Sequence, residues 1–148
     1  MANLTAEQTL TYRPRGTSSY IVANGVTLYA GALVGTDVNG YLNKWDNVAT
    51  TRFAGICQQT VTGNTSANPP VEARVNEQGL ILKNVNVAAS SIATVNSPVF
   101  CTTDNTADLV LSGATSKAIG FIIRHISGTT NDVQLYTPAE QNAAMNVS

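Results

Sequence analysis

From Tyr20 onward the apolar positions of this chain fall in short runs or at every second residue. That is the period at which side chains alternate between the two faces of a strand. The pattern is cleanest in "VEARVNEQGLIL", where Val71, Ala73 and Val75 point one way and Glu72, Arg74 and Asn76 the other. "YIVANGVTLYAG" is two short apolar runs around Asn24-Gly25, and "ALVGTDVNGYL" repeats the device around Asn39-Gly40. Both dipeptides suit a type I′ hairpin turn. "FAGICQQTV", "SPVFCTT" and "AIGFIIRHI" read as further strands, and "SGTTND" turns the chain into "VQLYT" as another hairpin. "GNTSANPP", residues 63–70, is a loop by its Gly, Asn and Pro content. Only the C-terminal end predicts a helix. Thr137 serves as N-cap, Pro138 takes the first helical position, and Glu140 completes a capping box. About seven to nine short strands with turns between them predict a small all-β barrel or sandwich.

Residues 1–19 stand apart. "MANLTAEQTLTYRPRGTSS" is polar and lacks sustained alternation, and Pro14 sits between two arginines with Gly16 just after. Proline fixes its own φ and holds Arg13 extended, so the segment predicts an extended arm ahead of one β-rich domain over residues 20–148. No repeat and no long linker divides that domain. At 148 residues the chain is large enough for one hydrophobic core.

Composition narrows the partners. Charged residues make up 11% of the chain, against roughly 25% in ordinary soluble domains, with Thr, Asn and Ser in their place. Such a surface costs little to desolvate and suits a protein covered by partners. The net charge of −1 and eight scattered Lys and Arg argue against nucleic acid as a partner. No apolar run is long enough to cross a membrane as a helix, and the first residues do not read as a secretory signal. Cys57 and Cys101 are therefore expected to be reduced, buried thiols.

Residues for catalysis are scarce. The single histidine, His125, lies in "FIIRHIS" and reads as a sheet residue, not a base. One His and two isolated Cys give no recognisable zinc site. "TDVNG" and "TDNTAD" cluster Asp and Asn without the remaining ligands of a calcium loop, so Asp37, Asn39, Asp104 and Asp108 are expected to build turns. No phosphate-binding or dinucleotide fingerprint occurs. The expectation is a non-enzyme with no metal or cofactor.

Two places resemble the head decoration, or capsid cement, proteins of tailed bacteriophages, the lambda-type family. "TYRPRG" at 11–16 is similar to that family's Y-x-P-x-G arm motif, and "LNKWDNVATTRFAGI" to its strand, W-D turn and second strand. A wider group of cement proteins shares patterns similar to "VEARVNEQG", "NSPVFCTTD" and "AIGFIIRHISGTTNDVQLYTP". The matches keep their order across most of residues 11–138. The chain departs from the lambda-type pattern in its greater length between Gly63 and Gly113.

The resemblance implies a β-tulip-like decoration fold with an extended N-terminal arm and a short C-terminal helix. It implies a structural virion protein, made in the host cytoplasm and bound to the outer surface of the mature head, where it bridges neighbouring capsomers. The partners implied are the major capsid protein and further copies of the chain, as a homotrimer or, alternatively, a dimer. The arm would add a strand to a capsid-protein sheet, with Leu4, Leu10 and Tyr12 filling pockets and Arg13, Pro14 and Arg15 at its root. Trp45 has two readings, a core aromatic or a subunit or capsid contact. The competing function is a carbohydrate- or receptor-binding β-domain of a phage fibre or bacterial surface protein.

Overall fold

The computed structural model describes residue 6 and residues 17–46, 50, 52–111 and 117–145. Among them are twelve strands, two 3-10 turns and one α-helix, so the chain is an all-β protein. Five strands form an antiparallel sheet in the order β1 (Thr17–Ile21), β7 (Glu72–Asn76), β5 (Arg52–Cys57), β3 (Leu33–Thr36) and β4 (Leu42–Lys44). The sheet curls until its ends meet. Val22, just past β1, bridges Leu42 of β4, and the Ala23 N–H donates to the Leu42 carbonyl at 2.9 Å. Val22, Val34, Leu42, Ala54, Ala73 and Val75 fill the inside of this first barrel. A small ribbon, β2 (Thr27–Leu28) with β6 (Val61–Thr62), inserts Leu28 into the same core.

The second half is a closed barrel in the order β10 (Leu109–Val110), β8 (Ile81–Ala88), β12 (Thr130–Leu135), β11 (Gly120–Ser127) and β9 (Pro98–Cys101). β10 runs parallel to β8, and every other pairing is antiparallel. Closure removes free edges. Inside lie Val87, Val99, Leu109, Ile122, Val133 and Leu135.

The two barrels share a wall. Leu33, Trp45 and Phe53 come from the first sheet yet belong to the second core. β3 therefore buries both faces, with Leu33 toward one core and Val34 toward the other. An irregularity between Val34 and Gly35 in the pairing with β5 keeps Phe53 on the face of Leu33 while Ala54 stays with Val34. This extra residue is a β-bulge, and it matches the register of β5 to two cores at once.

Several local expectations are corrected. Asn24-Gly25 is a turn, with Gly25 at φ +76°, but its flanks do not pair, because β1 goes to β7 and β2 to β6. Asn39-Gly40 does join a hairpin, β3 to β4. It is not type I′, which needs positive φ at both central residues, since only Gly40 has it, at +86°. Asp37 organises the turn by accepting from the Asn39 and Tyr41 N–H groups at 2.9 and 3.0 Å. β1 starts at Thr17, so the last three residues assigned to the arm belong to a strand. β8 was not anticipated; its interior is "LKNVN", and only Val87 of its eight residues is fully buried. The C-terminal helix, α1 (Pro138–Met145), starts as expected. The Thr137 N–H donates to Glu140 Oε1 at 3.0 Å and the Glu140 N–H to Thr137 Oγ1 at 3.2 Å, a reciprocal capping box.

Candidate functional site

The arm residues Leu4, Leu10, Tyr12, Arg13, Pro14 and Arg15 lie outside the described residues. What is described is the strand they lead into. Among the described residues β1 is the end strand of the first sheet, and its side chains alternate: Thr17, Ser19 and Ile21 are exposed, Ser18 and Tyr20 half-buried. The two half-buried hydroxyls converge on one carboxylate. Ser18 Oγ donates to Glu77 Oε2 at 2.8 Å, and the Tyr20 phenol donates to Glu77 Oε1. Glu77 follows β7, so this anchor pins the start of β1 to its neighbour through charge-assisted hydrogen bonds. Beside Tyr20 an open groove of about 450 Å³ runs between β1, the start of β5 and α1, lined by Arg52, Ala54, Pro138 and Asn142 among others.

Trp45 lies in the core. It leaves β4 as its own N–H donates to the Leu33 carbonyl at 3.0 Å. The side chain is 1% exposed, and the indole N–H donates to the Cys101 carbonyl at 2.7 Å. Its ring meets Phe53 edge to face, with centroids 5.5 Å apart at 83°. Gly35 makes room beneath it, for a Cβ there would stand 3.0 Å from the indole and 2.3 Å from the Arg52 carbonyl. Asp46 and Thr50 are joined to each other and to Lys117. The Asp46 N–H donates to Thr50 Oγ1 at 2.9 Å, and Lys117 Nζ donates to the Thr50 carbonyl at 2.6 Å. Its burial fits the core-aromatic reading of Trp45. The chain matches no family model, no curated protein and no solved structure in comparisons with each.

The residues weighed for chemistry make local hydrogen bonds where they are described. His125 is half-buried on β11, its Nε2 3.0 Å from the Gly128 carbonyl across the hairpin turn. Cys57 and Cys101 are free and buried. Their thiols donate to the carbonyls of Gln59 at 3.0 Å and Asn105 at 3.2 Å. Burial pushes the Cys101 thiol above its ordinary value; hydrogen bonds from Thr103 oppose the shift, and the Asp108 and Asp104 charges add to it. Asp108 accepts from Thr103 Oγ1 at 2.7 Å, and Asn105 caps the 3-10 turn Thr106–Asp108. Among the described residues no three His, Cys, Asp or Glu side chains are grouped to hold a metal. No helix among them is long and apolar enough to cross a membrane.

Two buried amides escaped the sequence reading. Gln141 of α1 is fully buried, and its Oε1 accepts the Phe53 N–H at 2.5 Å while its Nε2 donates to the Ala118 carbonyl at 3.1 Å. One side chain thus joins the C-terminal helix to the first sheet and to the segment entering β11. The capping box was the available signal, because it fixes which helical positions face inward. Asn131 points into the second barrel, donating to Ser90 Oγ at 2.8 Å and the Thr129 carbonyl at 2.9 Å. Strand alternation was the available signal, since Asn131 falls two and four residues before the inward-facing Val133 and Leu135.

Proposed function

We propose that the protein is a structural virion component, a decoration or cement protein that binds the outside of a mature phage head and bridges neighbouring capsomers. The observation that carries this reading is where the resembling stretches fall. "LNKWDNVATTRFAGI" supplies β4, Trp45 and most of β5, "VEARVNEQG" is β7, "NSPVFCTTD" holds β9, and the last stretch is the β11–β12 hairpin. These strands supply part of each core, and the arm motif "TYRPRG" directly precedes β1.

The physical role is that of a ligand of the expanded shell. A protein that binds one lattice state better than its alternatives shifts the balance toward that state. The arm adds a strand to a capsid-protein sheet, where main-chain hydrogen bonds hold it and Leu4, Leu10 and Tyr12 select the site. Ordering about ten arm residues costs on the order of 10–20 kcal/mol of backbone entropy. A single arm therefore binds weakly, and a homotrimer or dimer delivering several arms together raises the avidity. Trp45 packs in the core of the body from which the arm extends.

Deleting residues 1–15 tests this. The truncated protein should stay folded and keep its oligomeric state, yet fail to co-sediment with capsids that the intact chain decorates. Undiminished co-sedimentation would remove the arm from the mechanism. A parallel glycan-binding assay addresses the carbohydrate-binding reading, which has lost its tryptophan platform: Trp45 is buried, whereas Tyr29 and Tyr41 are exposed.

A further inference from the structure

The chain holds two Asn-Gly pairs, Asn24-Gly25 and Asn39-Gly40. In this dipeptide the glycine nitrogen can attack the asparagine side-chain carbon, because no side chain on the second residue obstructs the approach. Both pairs are exposed, and both glycines have positive φ, +76° and +86°. The fold holds them by different means.

Asn24-Gly25 is clamped to a distant loop. The Gly25 N–H donates to the Gly63 carbonyl at 3.0 Å, and the Gly63 N–H donates to the Val26 carbonyl at 2.8 Å. Asn24 Oδ1 accepts the Thr65 N–H at 3.3 Å, from a residue 41 positions away. Gly63 is buried against this turn, so close that a Cβ on it would stand 2.0 Å from the Ala23 carbonyl oxygen. The turn leads into β2, and the pairing of β2 with β6 and the burial of Leu28 hold both segments in place. Freeing the Gly25 nitrogen and the Asn24 amide together means parting two segments that pack on one core.

Asn39-Gly40 is held by its own hairpin. The Gly40 N–H donates to the Asp37 carbonyl at 3.0 Å, and the Asp37 N–H donates to the Tyr41 carbonyl at 2.9 Å. Asp37 Oδ1 accepts from the Asn39 and Tyr41 N–H groups. These bonds all lie within residues 37–41, and Val38 at the tip is 82% exposed. Opening a hairpin tip costs far less than parting segments that share a core.

We propose that Asn39 is a site of spontaneous deamidation in the folded protein, whereas Asn24 is protected. The Gly40 nitrogen bonds to Asn39 Cγ, the Cγ–Nδ2 bond breaks, and ammonia leaves carrying the former Gly40 amide proton. The resulting succinimide ring is opened by water at either carbonyl. One opening gives aspartate; the other gives isoaspartate, in which the main chain runs through one extra methylene. Water is the sole co-reactant. Either product adds one negative charge to a chain whose formal net charge is −1. That charge arises two residues from Asp37, the carboxylate that organises the turn, so repulsion between like charges loosens the β3–β4 connection. Modified chains accumulate with the age of the protein.

Incubating the full chain in warm, mildly alkaline buffer and mapping its peptides by mass spectrometry tests this. The peptide carrying Asn39 should convert at least about tenfold faster than the one carrying Asn24. In urea strong enough to unfold the protein the two rates should converge, because both asparagines precede glycine. Asp37→Ala removes the acceptor shared by the Asn39 and Tyr41 N–H groups. It should speed conversion at Asn39 and leave Asn24 unchanged. Comparable rates at the two sites in the folded protein, or faster conversion at Asn24, would overturn the proposal. So would an Asn39 that converts only after unfolding, or one whose rate is unmoved by Asp37→Ala.

Discussion

Replacing Gln141 with alanine should weaken the whole molecule, although the residue sits near the end of the chain. The substitution strips a partner from two groups at once, the Phe53 N–H held at 2.5 Å and the Ala118 carbonyl held at 3.1 Å. Each buried group left unsatisfied costs about 1–3 kcal/mol, so the expected loss is about 2–6 kcal/mol. With a urea dependence of about 2 kcal/mol per molar, the unfolding midpoint falls by about 1–3 M. Trp45 is the chain's single tryptophan and is buried, so its emission reports the transition directly. Gln141→Glu separates hydrogen bonding from simple loss of volume. The carboxyl keeps the shape, but only its protonated form has a hydrogen to offer the Ala118 carbonyl. Burial raises the folded-state pKa of this glutamate above the unfolded value of about 4.3. Its contribution is therefore fully present below about pH 4.3 and is lost as pH rises through the folded value. The glutamate variant should approach the parent protein at low pH and fall away toward neutrality. A loss under about 1 kcal/mol for the alanine variant, or a pH-independent difference for the glutamate variant, would refute the role given to these two hydrogen bonds.

The other predictions concern the core and its titration. Trp45→Phe removes the donor to the Cys101 carbonyl and part of the ring that fills the shared wall; chemical denaturation should show a loss of about 2–4 kcal/mol. Cys101 and Tyr136 both hold their protons to higher pH than in an unfolded chain, chiefly because they are buried. Their stabilisation is complete below the unfolded values and lost as pH rises through the folded ones, so midpoints measured across the alkaline range should fall above about pH 8.5. A thiol-specific reagent at neutral pH should label Cys57 and Cys101 only as fast as the protein opens, because both thiols are buried. Labelling at the rate of a free thiol would contradict that burial.

The strand class, the β3–β4 and β11–β12 hairpins and the helix start were legible because each rests on a local rule. Glycine at a turn, alternation in β7 and a reciprocal cap at Thr137 and Glu140 need no knowledge of the rest of the chain. Pairing across the chain was not legible. Asn24-Gly25 looked like a hairpin because adjacent strands usually pair, but β1 is claimed by β7, some fifty residues onward. β8 was obscured because Lys83, Asn84 and Asn86 break the apolar run. Trp45 could not be assigned from composition, since an aromatic serves equally in a core or at an interface until the wall around it is known. The bulge that lets Leu33 and Phe53 serve one core and Val34 and Ala54 the other has no local signal beyond Gly55, whose φ is +145°.

The latch at Gln141 reaches 88 residues back to Phe53. During synthesis, the strand carrying Phe53 leaves the ribosome long before the glutamine that holds it. A chain that stops before residue 141 carries the strands of both cores without the side chain that holds the Phe53 N–H and the Ala118 carbonyl.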